Sequence, residues 1–350
     1  MRYPESDPQC SSPHFGSASP ALSEGIKTQA DEKGVVALLV GPTSVGKTEI
    51  SLQLAEKLDA EIVSVDSRLF YRGLDIGTAK PSRQDRARIP HHLIDVADPD
   101  ETLSLAAFQR LAHEAIAGIV SRARLPLLVG GTGQYVRAVT AGWRPPRVPP
   151  NESLRRELAH LASERGEHWL HRGLRMLDPD AAAAIDPRNV RRTTRALEVI
   201  LTTGWRFSEQ RHHGESPYRS VVIGLRRPRQ ELYCRIDARI DAMFAQGLLE
   251  ETRQLLDRGC RADMPAFSAI GYLQCVKVIR GQMELDQAIA EIRRATRAFA
   301  RRQSNWFKES DPNIKWFDAG QPGLVDAIVS FTKRSASEDP QTGKPAESGP

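Results

Sequence analysis

Gly41, Gly46, Lys47 and Thr48 fill the spacing G-x-x-x-x-G-K-[ST] inside the stretch LLVGPTSVGKTEISLQLAEKL, Leu38 to Leu58. Each residue type has a chemical reason to be there. Glycines let backbone N–H groups curl around anionic oxygens, the lysine adds a point charge, and the Thr48 hydroxyl suits a magnesium ion. The intervening Pro42, Thr43, Ser44 and Val45 complete a loop expected to grip a phosphate chain. An apolar run, VVALLV, precedes it and a helical pattern follows, as a strand feeding a helix requires.

Two further positions carry chemistry at strand ends. Asp66 closes EIVSVD, so in a parallel sheet its carboxylate would face the crevice that holds the phosphate loop; an aspartate that caps a turn would stand there equally well. In LLVGGTGQY, Gly130, Gly131 and Gly133 permit close backbone approach and Thr132 offers a hydroxyl, although an ordinary strand-to-helix turn has the same look.

Basic residues gather in two stretches. In DPRNVRRTTRALEVI, Arg188, Arg191, Arg192 and Arg195 fall at helical spacings beside apolar Leu197, Val199 and Ile200. In EIRRATRAFARRQSNWFK, Arg293, Arg294, Arg297, Arg301 and Arg302 are interleaved with Phe299, Trp306 and Phe307. Arginines for phosphates and rings for splayed bases are the composition of an RNA surface. A solvated arginine face with its aromatics in the core is the competing reading.

The elements that must position these residues follow from periodicity. VVALLV, EIVSVD, HHLIDV and LPLLVGG read as strands alternating with helices, an α/β parallel sheet. WRPPRVPPNES interrupts this with four prolines, and Glu152 to Gly204 reads as mainly helical, with Leu154, Leu158 and Leu161 on one face. YRSVVIGLRR returns to strand character before a single long amphipathic helix ending at Gly259. The expected division is a core of 34–143 and 217–334, an inserted helical domain at 144–216 that binds RNA, and disordered tails at 1–33 and 335–350, whose composition cannot bury a core.

Composition narrows the class. The 350 residues are 40% apolar, enough for a packed core, and 49 basic against 44 acidic residues leave +5. So mild an excess points to a polyanionic partner only where it is local. Cys10, Cys234, Cys260 and Cys275 lack paired C-x-x-C spacing, which disfavours a zinc site or a disulfide framework and suits a reducing compartment. The N-terminal residues resemble neither a secretory nor a mitochondrial leader, and a run of about 18 apolar residues is missing, so a cytoplasmic protein without a membrane partner is expected.

Taken together, GPTSVGKTEIS, VSVDSRLFYRGLDIGTAKP, PHHLIDVADPDE, LLVGGTGQY, RRTTRALEV, AIGY and RRQSNWF resemble the bacterial tRNA dimethylallyltransferase family, in order from about Val35 to Phe317. The resemblance implies a P-loop NTPase-like fold in which the loop holds the diphosphate of dimethylallyl diphosphate and makes no use of ATP. It implies prenyl transfer to N6 of the adenosine immediately 3′ of the anticodon, with Mg²⁺ at Thr48, by a protein taken to be monomeric. Mapped by motif, Thr43 to Thr48 hold the diphosphate, Asp66 meets N6, Thr132 helps to place substrate, and Ser67, Arg68 and Leu69 line the tRNA site. Arg155, the run Arg191, Arg192, Thr193, Thr194 and Arg195, and Gln303 are further tRNA contacts on the same mapping. Gln134 replaces a commonly apolar residue, and AIGYLQ differs from the family in polarity after its tyrosine. A small-molecule P-loop kinase, an isopentenyltransferase acting on free adenine nucleotides, and a noncatalytic RNA-binding protein are the alternatives. The first leaves the arginine-rich stretches unexplained, and the second would not need the inserted helical domain or the basic aromatic helix.

Overall fold

The computed structural model describes residues 33–337 apart from 145, 147, 211 and 214. In chain order the elements begin with β1 (Val35–Val40), α1 (Lys47–Leu58), β2 (Ala60–Ser64), α2 (Arg83–Arg88), β3 (His91–His92), α3 (Leu105–Ser121), β4 (Leu125–Gly130), α4 (Gly133–Thr140) and β5 (Trp143–Arg144). The helical segment holds α5 (Glu152–Arg165), α6 (Glu167–Leu177), α7 (Pro179–Ala184) and α8 (Val190–Thr203). The chain then returns through β6 (His212–His213), β7 (Arg219–Arg226), α9 (Arg229–Ala245), α10 (Leu248–Asp257), α11 (Tyr272–Ile279), α12 (Leu285–Ser304), β8 (Ile314–Asp318) and α13 (Leu324–Ser337).

Six strands form one sheet in the order β3-β2-β4-β1-β7-β8, with every pairing parallel. β1 lies inside it, and its residues alternate between two cores. Ala37 and Leu39 join Leu127 and Ile223 under one helical layer, while Val36, Leu38 and Val40 join Phe108 and Ile116 of α3 under the other. Burial on both faces is why VVALLV is apolar throughout. The C-terminal ends of β1 and β4, paired as far as Val40 and Gly130, open into the crevice that receives the phosphate loop.

Four sequence expectations need correction. HHLIDV yields a strand of only two residues, because Leu93 and Asp95 take left-handed φ of 61° and 56° and turn the chain. The long helix expected up to Gly259 is two helices, broken at Gly247 with φ 99°. IKWFD forms an edge strand, β8, that the pattern reading missed. Helix α13 runs to Ser337, past the expected start of the tail at Ser335. The rest of both tails, with Cys10, lies outside the described residues.

Helices α5 to α8 share an apolar cluster that includes Leu158, Leu170, Leu174, Leu197, Ile200 and Phe207, with Leu154 packed at its edge. Elsewhere, the polar loop between β2 and α2 is tied down from beneath. The Glu251 carboxylate of α10 accepts the N–H groups of Asp75, Ile76 and Gly77 at 3.0, 2.8 and 3.3 Å and the Tyr272 hydroxyl at 2.6 Å. Lys80, its side chain 1% exposed, reaches Asp75 and Asp95, both at 2.6 Å.

Gly77 lies flat on the Tyr272 ring, where an added Cβ would come within 2.6 Å of ring carbon. Gly77→Ala should therefore lower unfolding stability by about 1–3 kcal/mol through overpacking, as read by chemical denaturation. Gly173→Ala, in α6 with open space around its Cβ position, should instead gain about 0.5–1 kcal/mol. Equal shifts of the two variants would contradict this account of the packing.

Candidate active site

The phosphate loop runs from Gly41 to Thr48 between β1 and α1, with Gly41, Ser44 and Gly46 at φ 149°, 63° and 112°. Gly41 is required by a close approach, since a Cβ there would meet the Leu225 carbonyl oxygen at 2.6 Å. The outward peptide groups are held from several directions. Lys47 Nζ donates to the carbonyls of Gly41 and Pro42 at 2.9 and 2.8 Å. Arg235 Nε donates to Ser44 O at 3.0 Å and Arg227 Nε to Val45 O at 3.0 Å. The Thr43 N–H donates to Gln303 Oε1 at 2.8 Å. Arg239 lies within 3.4 Å of both Thr43 Oγ1 and Thr78 O.

Lys47, Arg235 and Arg239 therefore crowd the loop with no carboxylate in direct contact among the described residues, while Arg227 pairs with Glu231. Desolvation lowers the pKa of Lys47 to about 8; the charge of Asp66 pulls it up and that of Arg239 pushes it down. Desolvation likewise lowers the pKa of Arg239, against the pull of Asp66. This is an electrostatic setting for a multiply charged anion. Arg227, Arg235 and Arg239 escape the motif reading. Arg235 and Arg239 are spaced one helical turn apart, but nothing in that spacing separates them from a solvated helix face.

Asp66 lies two residues beyond β2. Its Oδ1 accepts the Arg68 N–H at 3.0 Å, so the turn-capping role is real, while its Oδ2 makes no hydrogen bond among the described residues. Thr132 is the N-cap of α4 without a side-chain cap, leaving its hydroxyl available beside the crevice. Arg68 reaches Ser268 Oγ at 2.7 Å, with Ser67 and Leu69 half-buried around it. The glycines of LLVGGTGQY serve close packing. Added Cβ atoms at Gly130, Gly131 and Gly133 would meet the Val65 backbone, the Gln303 carboxamide and the Trp306 indole at 2.8, 2.1 and 2.4 Å. Thr48 is exposed at the start of α1.

The basic stretches divide by partner. On α8, Arg191 and Arg192 are exposed and make no ion pair among the described residues, whereas Thr193 and Thr194 point inward and are buried. Arg195 and Arg155 both bind the fully buried carboxylate of Glu198, at 2.5 and 2.9 Å, and Asn151 N–H donates to the same group at 2.7 Å. Burial would raise the pKa of Glu198, but Arg155, Asn151 and Arg195 outweigh it and hold the carboxyl below its usual range. Arg155 and Arg195 therefore tie α5 to α8 whatever else they touch. On α12, Arg293 and Arg297 pair with Asp241 and Asp237 of α9, and Arg301 donates to Tyr233 Oη at 3.2 Å. Phe307 is core, while Trp306 stays 41% exposed with the Arg137 guanidinium 5.3 Å from its ring.

Comparison with known proteins bears on the family and the fold. The family model described as IPP transferase matches residues 69–310, and that described as isopentenyl transferase matches 34–94. A tRNA dimethylallyltransferase of Roseiflexus sp. (strain RS-1) is 52% identical over 296 residues, 85% of this chain and 97% of the relative. One from Thermomicrobium roseum is 47% identical over 311 residues, 89% of this chain and 94% of the relative. Among solved structures, the tRNA isopentenylpyrophosphate transferase of Bacillus halodurans superposes with TM-score 0.65 at 41% identity, covering 87% of this chain and 97% of its own. A eukaryotic dimethylallyltransferase acting on tRNA gives TM-score 0.70 at 26% identity, covering 86% and 77%. With the ordered motifs, the parallel sheet and these matches in agreement, the chain belongs to the IPP transferase family, to which the tRNA dimethylallyltransferases belong.

Proposed function

We propose that this chain transfers the dimethylallyl group of dimethylallyl diphosphate to N6 of the adenosine immediately 3′ of the anticodon of tRNA, releasing diphosphate. The observation that carries the reading is the pairing of a cation-rich phosphate loop with the Asp66 carboxylate, one oxygen of which has no hydrogen-bond partner among the described residues, across one crevice. An allylic carbon bears positive charge well, so breaking its C–O bond mainly needs a stabilised leaving diphosphate. The loop amides, Lys47 and Arg239 suit that task. The N6 lone pair forms the new C–N bond and Asp66 takes the proton that N6 loses. A base reaches such a crevice only when unstacked, which favours the anticodon loop.

Magnesium fits the donors available. Among the described residues no cluster of three or more His, Cys, Asp and Glu side chains is suited to a metal, and Mg²⁺ needs few protein ligands when phosphate oxygens and water complete its octahedron. Thr48 would hold it, and when bound it would neutralise charge on the diphosphate. Arg191 and Arg192 are the arginines of α8 left for tRNA phosphates. We assign the reaction to a cytoplasmic monomer; among the described residues no helix is long and apolar enough to cross a membrane.

Labelled dimethylallyl diphosphate incubated with unmodified tRNA should label the RNA, while ATP offered with AMP should give no phosphoryl transfer. Phosphorylated AMP with unlabelled tRNA would favour a kinase. Asp66→Asn should bind both substrates yet slow the single-turnover step by roughly 10²- to 10⁴-fold, the range for a positioned general base. A rate near that of the parent would reduce Asp66 to its capping role.

Lys47 generates a pH prediction. Its folded pKa of about 8 lies below the usual 10.5, so in the free protein it loses its proton as pH rises through 8. The diphosphate binds the protonated form more tightly, so affinity should fall above pH 8 by at most about tenfold per pH unit. Dimethylallyl diphosphate binding followed calorimetrically from pH 7 to 9.5 should show this slope in the parent and lose it in Lys47→Met. The same slope in both proteins would remove Lys47 from the effect.

A further inference from the structure

We propose that Gln303 is a positioning residue for the phosphate loop and that this, rather than contact with tRNA, is its main task. The inference rests on the reading that the loop binds diphosphate. Gln303 occupies the last turn of α12 and is only 4% exposed, which leaves little surface for RNA. Its carboxamide is wedged between the two loops that leave β1 and β4. On one side Oε1 accepts the Thr43 N–H at 2.8 Å, across 260 residues of sequence. On the other, a Cβ at Gly131 would stand 2.1 Å from its Nε2 and 3.0 Å from its Cδ, so only glycine leaves room for it.

The chemistry of the loop explains why such a tether matters. Gly41, Ser44 and Gly46 all hold left-handed φ, so the loop's peptide planes are set by their hydrogen bonds more than by intrinsic preference. Lys47, Arg235 and Arg227 hold its carbonyls. Gln303 is the protein acceptor for the Thr43 N–H. Without it the Thr43 peptide plane is released, and with it the Thr43 hydroxyl that Arg239 approaches at 3.4 Å. Gln303 thus fixes the entering limb of the loop in the conformation whose amides converge on the anion.

The test measures Mg²⁺-dependent binding of inorganic diphosphate without RNA, and binding of tRNA without diphosphate, for the parent, Gln303→Met, Gly131→Ala and the double variant. Gln303→Met should weaken diphosphate binding roughly 3- to 10-fold, as expected for one lost hydrogen bond, while tRNA affinity stays within about twofold. Gly131→Ala, whose Cβ would stand 2.1 Å from Nε2 and 2.9 Å from the Gly41 carbonyl oxygen, displaces the carboxamide and presses on the loop itself, so it should weaken diphosphate binding at least as much. The double variant should be no weaker than Gly131→Ala alone, because the Gln303 contact is already lost there. In turnover, KM for dimethylallyl diphosphate should rise while the single-turnover rate at saturation holds. Unchanged diphosphate binding together with weakened tRNA binding would overturn the proposal and return Gln303 to the RNA surface. Should Gln303→Met not fold, Gln303→Leu, which also lacks the acceptor, decides by the same criterion. A parent that fails to bind diphosphate refutes the reading of the loop and this role with it; a parent that binds, with variants that bind equally, refutes the role of Gln303 alone.

Discussion

Peptide N–H groups can converge on an anion only if the neighbouring carbonyls point away and find donors of their own. In this chain Lys47 answers the carbonyls of Gly41 and Pro42, Arg235 that of Ser44, and Arg227 that of Val45. Arg227 also donates to Ala319 O at 2.7 Å, so one guanidinium joins the phosphate loop to the end of β8. The loop's shape is thus a property of the sheet. β7 pairs with β1 over six residues, and that register delivers Arg227 and the start of α9 to the loop.

The partner of the loop is the segment that carries Asp66. Its polar, glycine-punctuated sequence buries Phe70 and Leu74 in the core, and its polar groups are held by Glu251, Tyr272, Lys80 and Asp95. Tyr272 belongs to the AIGY block; in the fold it is fully buried beneath Gly77. The general-base role proposed for Asp66 would need placement to a fraction of an ångström, and a buried tyrosine with a buried lysine supports such placement better than loop sequence does.

Arginine content proved a blunt guide to the RNA surface. A guanidinium paired with a buried carboxylate is committed to structure, because removing either partner leaves an uncompensated charge in a low-dielectric setting. Arg155 and Arg195 are so committed to Glu198, while Arg293 and Arg297 pair with the partly exposed Asp241 and Asp237, respectively. Arg191 and Arg192 lack such partners among the described residues. The sign of the surface follows from which acids fold back onto it, and helical spacing does not contain that information.

By itself the sequence determined what depends on neighbours in the chain. The phosphate loop, the buried strands β1, β2, β4 and β7, the helical run from Glu152 to Gly204, and Asp66 and Thr132 beyond their strand ends all follow from local pattern, because glycine, apolar periodicity and strand-end position act over a few residues. Tertiary structure alone decided the contacts made at long range. Arg235 meets Ser44 across 191 residues and Gln303 meets Thr43 across 260. Edge strand β8 forms because β7 offers it a partner, and the expected helix breaks at Gly247 in a left-handed turn. These features arise from pairing and packing between distant segments, whose energies no window of neighbouring residues records.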